Sequence, residues 1–155
     1  MANYDSKMAE RVWQRVRGEQ APSGEVRTPE GDLLGLIQAE WMAASAYLAL
    51  SRQMGAKESA VLQRLFREEQ THGACLKGMY TLITGRKPVV QSPQPAKEPV
   101  EAALRRCYAG ELRSIAAYEA RSADPEYGHV FASMAKQERE HSRAVLELLG
   151  GLEKK

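Results

Sequence analysis

Two copies of a Glu-x-x-His motif are the residues of this chain whose types and spacing could do chemistry: Glu69 with His72, and Glu138 with His141. Residues three apart project from the same side of a helix, so each pair could hold one metal ion. The first motif lies in phase with an apolar stripe of helical period that comprises Leu62, Leu65, Leu76 and Met79. A buried carboxylate costs several kcal/mol unless it is paired, so these positions predict a partner such as a cation.

Two further predicted helices carry one core Glu each, Glu40 and Glu111. In both, a Tyr follows the Glu by seven residues, two turns along the same face; these are Tyr47 and Tyr118. The order Glu, Tyr, Glu, His therefore occurs twice, which indicates an internal duplication. Six side chains could then form one two-metal site: Glu40, Glu69, His72, Glu111, Glu138 and His141.

Four long helices are predicted to position these residues. The first opens at Thr28-Pro29-Glu30, with Thr28 as its cap, and ends at Gly55. The second extends from about residue 57 to 85 and the third from about 99 to 122. The fourth begins at Asp124 and stops at the glycine pair 150–151.

A Pro-rich linker, residues 86–98, separates the second and third helices. A helix of about 26 residues is roughly 39 Å long. The thirteen linker residues reach about 40 Å in an extended, Pro-rich conformation. Because antiparallel neighbours need only a short turn, this length predicts a crossover along the whole bundle, with helices two and three parallel.

The composition fits one all-α domain, which we assign to residues 29–151, preceded by a short amphipathic helix and a loop in residues 1–28. A formal net charge of +2 predicts no nucleic-acid partner. No apolar run approaches the roughly 20 residues of a membrane span, and no signal-peptide pattern is present, so we expect a cytoplasmic protein without a membrane partner. Cys75 and Cys107 form no Cys-x-x-Cys motif, and both are interpreted as small buried residues.

With one crossover, two single core Glu and two Glu-x-x-His motifs, the chain resembles the ferritin-like di-iron carboxylate proteins, in particular rubrerythrin-like and bacterioferritin-like domains. The resemblance covers about residues 30–149 and implies a ferritin-like four-helix bundle. It implies that Glu69 and Glu138 bridge the two metals and that Glu40 and Glu111 are terminal carboxylates. It also implies that His72 and His141 each supply one imidazole to one metal. It also implies that Tyr47 and Tyr118 lie beside the cluster, hydrogen-bond its carboxylates and serve catalysis; simple packing is the alternative.

The resemblance implies two iron ions as the cofactor, and manganese or a mixed pair suits the same oxygen and imidazole donors. The sequence differs from these families in three respects. Ser114 stands where rubrerythrins carry an extra Glu, which makes ligand exchange by that residue unexpected. Gln70 stands where haem-binding bacterioferritins place Met, so no haem is expected. The two cysteines of these 155 residues do not form the Cys-rich pattern of a rubredoxin domain, so the electrons are expected to come from another protein.

The leading hypothesis is a di-iron oxidoreductase of rubrerythrin-like type, which reduces peroxide or oxidises Fe(II) with O2 or peroxide. Its electrons would come from an external donor such as a rubredoxin-like protein, and a homodimer is the expected assembly. One alternative is an iron-binding or storage protein of ferritin type. Another is a di-iron oxygenase acting on an organic substrate, and the last is a bundle without metal, held by a polar network.

Three residues outside the ligand set receive ordinary interpretations. Glu68 and Glu140 lie beside the motifs and have no acidic counterpart in the other repeat, so we interpret them as solvated or supporting groups. Glu68 could pair with His72 four residues along the same helix. His129 has no repeat partner and is expected to be exposed.

Overall fold

The structure, a computed structural model, describes residues 28–94 and 96–154. This part of the chain forms four α-helices and no strands: α1 Glu30–Ser51, α2 Ala56–Thr84, α3 Val100–Glu119 and α4 Gly128–Leu152. The predicted all-α helical bundle is therefore confirmed for these residues. The short N-terminal helix and the loop predicted for residues 1–28 lie outside the described residues; of this segment the structure describes only Thr28.

Two apolar clusters occupy the two ends of the bundle. The first cluster includes Leu33, Ile37, Leu76, Met79, Tyr118, Phe131 and Met134. The second cluster includes Tyr47, Leu50, Leu62, Leu65, Leu104, Cys107, Val145 and Leu148. Each fully buried aliphatic side chain contributes about 1.5–3 kcal/mol, so these clusters can offset the cost of polar residues buried between them. On every helix the predicted ligands fall between the two clusters.

The apolar composition of helix α1 would suit either a membrane or the core of a helical bundle. The helix is long enough to cross a membrane, and an 18-residue stretch of it has a mean hydropathy of 1.3, so by length and composition the expectation that no stretch approaches a span is wrong for this helix. A core helix has the same composition, because its neighbours cover its apolar residues. The buried face of α1 includes Glu40 and Tyr47, both of which contact other helices of the bundle.

The beginnings of α1 and α4 differ from the prediction. Thr28 does not cap α1; its backbone N–H and its hydroxyl both donate to Asp124, at 2.9 and 3.0 Å. Asp124 lies before the first residue of α4, and its carboxylate also accepts the N–H groups of Glu126 and Tyr127, each at 2.9 Å. These four hydrogen bonds hold a turn, and α4 starts after it, at Gly128.

Glycines end only one of the helices as predicted. Gly85, with a φ of 69°, ends α2 in the left-handed conformation. Helix α1 ends at Ser51, and Gly55 is instead the N-cap of α2; α3 likewise ends early, at Glu119. Helix α4 continues through the glycine pair to Leu152, which packs against the second cluster. The apolar contact of this half-buried side chain offsets part of the cost of the two glycines, which is about 1 kcal/mol for each glycine inside a helix.

The linker between α2 and α3 lies against α1. Arg86 forms an ion pair with Glu30, the first residue of α1. Further along, the Gln91 N–H donates to Gln38 Oε1 at 2.9 Å, and Gln38 Nε2 donates to the Gln91 carbonyl at 2.7 Å. These contacts fix the first half of the linker along the outside of the bundle.

Candidate metal centre

The structure brings all six predicted ligands together between the two apolar clusters. Each is at most 3% exposed. They form two sets of donor atoms, and within each set the atoms lie within 4.8 Å of one another. The first set is Glu40, Glu69, His72 and Glu138, and the second set is Glu69, Glu111, Glu138 and His141. Since Glu69 and Glu138 belong to both sets, they lie where two neighbouring cations would share them.

Both imidazoles present their Nδ1 atom to the shared carboxylates. His72 Nδ1 lies 2.9 Å from Glu138 Oε1 and 3.4 Å from Glu69 Oε2. His141 Nδ1 lies 3.0 Å from Glu69 Oε1 and 3.0 Å from Glu138 Oε2. The two rings are 5.7 Å apart between centroids. One nitrogen of each His thus lies beside the shared carboxylates, within its own set of donor atoms.

Several donor atoms are close together without forming hydrogen bonds. Among the six ligand side chains, five buried atoms have no aligned hydrogen-bond partner: Glu40 Oε2, Glu69 Oε2, His72 Nδ1 and both carboxylate oxygens of Glu138. A buried polar atom left without a partner costs about 1–3 kcal/mol, and native cores rarely keep such atoms. A divalent cation can accept lone pairs from several oxygens and an imidazole at once, so these donor atoms suit metal binding.

The four carboxyl groups divide into two neutral and two charged groups when metal is absent. Burial raises the pKa of Glu111 to about 12 and the pKa of Glu40 well above its usual range. Burial also acts to raise the pKa of Glu69 and Glu138, but the adjacent His141 and His72 together hold both pKa values below the usual range. The terminal carboxyls are therefore protonated at neutral pH, whereas the shared ones are ionised.

Both imidazoles are protonated in the same state. Burial by itself lowers the pKa of an imidazole, but nearby Glu138 and Glu69 raise the pKa of His141 to about 10. The same carboxylates, with Glu40, raise the pKa of His72 well above its usual range. Two imidazolium ions then balance two carboxylates, and the cluster is formally neutral. In the metal-free cluster, protons thus supply the positive charge that bound metal ions would otherwise supply.

The two tyrosines connect one repeat to the other. The Tyr47 hydroxyl donates to Glu111 Oε1, and the Tyr118 hydroxyl donates to Glu40 Oε1. Both tyrosines are fully buried, and burial raises the pKa of both hydroxyls, which keeps them protonated and able to donate. Each Tyr thus orients the terminal carboxyl of the opposite repeat.

We expect Tyr118→Phe to lower the free energy of unfolding of the metal-free protein by about 1–3 kcal/mol, because Glu40 would lose its buried donor. Urea unfolding followed by circular dichroism measures this change. Tyr108→Phe is the matched control on the same helix, since the half-buried Tyr108 has no hydroxyl hydrogen bond within the described residues. Its change should stay within about 0.5 kcal/mol. Equal losses in the two variants would contradict a specific role for the Tyr118 hydroxyl.

Sequence reasoning missed the contacts behind the imidazoles. His141 Nε2 donates to Glu68 Oε2 at 2.7 Å, and His72 Nε2 donates to Gln137 Oε1. Glu68 therefore pairs with the His of the opposite repeat rather than with His72, which agrees with its interpretation as a solvated or supporting group. One signal was available, since Glu68 and Gln137 each stand directly before a shared Glu.

The remaining candidates have ordinary surroundings. His129 and Glu140 are exposed, as expected. Cys107 packs in the second cluster, and burial raises the pKa of its thiol to about 11, so it is an unreactive thiol at neutral pH. Cys75 is exposed, and its predicted burial is wrong because it lies just outside the stripe that passes through Leu76.

Two cavities reach the ligands from opposite sides. One, of about 370 Å³, is lined by Glu40 and Glu69, and its wall includes Trp41 and Lys77. The other, of about 460 Å³, is lined by Glu111 together with small apolar residues such as Ala39, Ala43, Ala46 and Ala117. The two cavities therefore border the ligand carboxylates on two sides of α1, although the ligand side chains themselves are buried.

The two buried sets of Glu and His can hold metal, because ligand types, distances and burial all suit a cation. Comparison of the chain with known protein families, with curated proteins and with solved structures gave no match.

Proposed function

We propose that this protein is a di-iron oxidoreductase of rubrerythrin-like type, which reduces peroxide or oxidises Fe(II) with O2 or peroxide. The sharing of Glu69 and Glu138 between two Glu/His sets carries the proposal, since it suits two metal ions held side by side. A single metal site would need only one of these sets.

The course of the chain supports a ferritin-like arrangement. In α2 the chain passes from the second apolar cluster to the first, and in α3 it passes in the same direction. A linker between two parallel helices must span the bundle, as the predicted crossover does. The pairing of Gln91 in that linker with Gln38 of α1 agrees with such a path.

In this proposal each metal has one terminal carboxylate and one imidazole. Glu40 and His72 would hold one metal ion, Glu111 and His141 would hold the other, and Glu69 and Glu138 would contribute to both. When bound, two iron ions supply two electrons together, which matches the demand of the O–O bond in peroxide. Manganese suits the same donors.

The chain itself contributes charge balance, orientation and exclusion of water. Four ionised carboxylates neutralise two divalent cations, so the loaded centre stays neutral inside an apolar core. Tyr47 and Tyr118 hold the terminal carboxylates in place. The apolar clusters on both sides keep the centre dry. Reduction of one H2O2 to two waters consumes two electrons and two protons, and an external donor such as a rubredoxin-like protein would return the electrons.

Stopped-flow mixing of the diferrous protein with H2O2 tests this function. We expect oxidation faster than that of free Fe(II), with one H2O2 consumed per chain because two Fe(II) ions yield two electrons. Glu140→Gln should react at the same rate, since Glu140 is exposed and outside both donor sets. A rate no greater than that of free Fe(II) would refute the proposed activity.

The apolar cavity beside Glu111 favours a second candidate, an oxygenase acting on an organic substrate. Turnover distinguishes the two activities. A peroxidase supplied with reductant consumes many equivalents of peroxide without any organic molecule. An oxygenase without its substrate would stop after the first oxidation of the metals.

Iron storage is distinguished by the size of the assembly. We expect a homodimer, whereas storage requires a closed shell of many subunits. Light scattering on the metal-loaded protein measures the mass directly. A shell-sized particle would favour the storage function over the proposed oxidoreductase.

A further inference from the structure

The acceptors behind the two imidazoles differ in charge. His141 Nε2 donates to a carboxylate, Glu68, at 2.7 Å, whereas His72 Nε2 donates to the amide oxygen of Gln137. Glu68 and Gln137 occupy the same position of the two repeats, directly before a shared Glu. The two repeats therefore differ at the residue that accepts a hydrogen bond from the imidazole Nε2 atom.

Other hydrogen bonds to the ligands follow the repeat. Each terminal carboxyl accepts one Tyr hydroxyl from the opposite half: Glu111 from Tyr47, and Glu40 from Tyr118. Both donor sets also contain the same two shared carboxylates. Among the hydrogen-bonded neighbours in the described part of the chain, the acceptor behind the imidazole is the clearest difference between the two positions.

A charged acceptor makes the imidazole a stronger ligand. A hydrogen bond to a carboxylate is roughly twice as strong as one between neutral groups, and it moves electron density toward the opposite ring nitrogen, Nδ1. Glu68 is also contacted by Arg64, at 3.2 Å from both oxygens, and its side chain is 40% exposed. Arg64 and solvent weaken the charge effect, but the hydrogen bond from His141 remains short.

We infer that the two metal positions are inequivalent, and that the position with His141 and Glu111 fills before the position with His72 and Glu40. Glu68 is then a positioning residue, which strengthens one imidazole ligand without touching the metal. The inference rests on the proposed metal centre. Changes in such outer contacts alter metal affinity by about 10–100-fold, so we expect about a tenfold preference.

Anomalous diffraction from crystals with one equivalent of Co(II) per chain locates the first metal. Two binding steps alone would not be sufficient evidence, because two adjacent cations repel each other and fill stepwise even in identical positions. The expected anomalous peak lies beside His141 Nδ1, with little density beside His72 Nδ1. In the exchanged variant Glu68→Gln/Gln137→Glu, we expect the peak to move to the His72 position.

Two isosteric variants, one single and one double, complete the test in solution. Glu68→Gln should weaken the first Co(II) step about tenfold in competition titrations, and adding Gln137→Glu should restore a tight first step. Both side chains reach solvent, so these exchanges should preserve the fold. Equal occupancy in the native chain, or no movement in the exchanged variant, would overturn the inference. Absence of any Co(II) at the six ligands would overturn the metal centre itself, a different result.

Discussion

Glu69→Gln is expected to abolish the binding of both metal ions rather than one. Glu69 belongs to both donor sets, and its oxygens lie beside both imidazoles, 3.0 Å from His141 Nδ1 and 3.4 Å from His72 Nδ1. An amide supplies no charge, so the four-carboxylate balance of two divalent cations would be lost. Since outer contacts alone change metal affinity by about 10–100-fold, loss of a shared ligand should exceed about 100-fold for each ion.

Glu111→Gln is the informative comparison, because Glu111 belongs to only one set. We expect this variant to retain one equivalent of metal after desalting, whereas Glu69→Gln retains almost none. Elemental analysis measures both. The exposed residues Glu140 and His129 provide matched controls, and Glu140→Gln and His129→Ala should keep two equivalents. If Glu69→Gln kept one equivalent, Glu69 would not be a shared ligand.

Loading the metal-free protein with two divalent ions is expected to release about four protons per chain at pH 7. A metal ligand must lose its proton before it binds. The raised pKa values of Glu40, Glu111, His72 and His141 mean that each of these groups still holds one proton at pH 7. The shared carboxylates are already ionised and release none.

This release gives the pH dependence a definite sign. Metal affinity should fall as the pH falls, because protons compete for four ligands. The product of the two binding constants should change by about four orders of magnitude per pH unit between about pH 6 and 9. The slope should decrease as the pH rises through about 10, the pKa of His141.

Calorimetric titration with Mn(II) in two buffers of different ionisation enthalpy measures the proton count. The exposed His129→Ala variant should release the same number of protons as the native chain. Release of one proton or fewer would contradict the assignment of charges in the metal-free cluster. That result would leave the positions of the ligands unaffected.

Much of the site could be predicted from the sequence because the signal is local. Whether Glu69 or His72 faces the core depends on its phase within its own helix, and the apolar stripe shows that phase directly. The same reasoning identified the single Glu and the Tyr of each repeat. Helix periodicity thus identified eight residues that the structure places in one buried centre.

Helix ends were less predictable, because a side chain of capping type can form its hydrogen bonds with a residue far along the chain instead of with its own helix. Thr28 has the residue type of a cap, yet Asp124, far along the chain, accepts both its N–H and its hydroxyl. The tertiary contact satisfies the same groups that a local cap would use. The glycine pair near the C-terminal end of α4 failed as a stop signal for a related reason, since Leu152 gains a buried contact by continuing the helix.

The pairing between the repeats was decided by the tertiary structure alone. Local spacing predicts His72 as the partner of Glu68, but the packing of α2 against α4 brings His141 within 2.7 Å of it. Packing also selects Glu40 as the acceptor for Tyr118, which is 78 residues away. The sequence by itself determined which residues face the core, since that follows from a 3.6-residue period. Which of them touch depends on the register in which four helices pack, and no local pattern specifies that register.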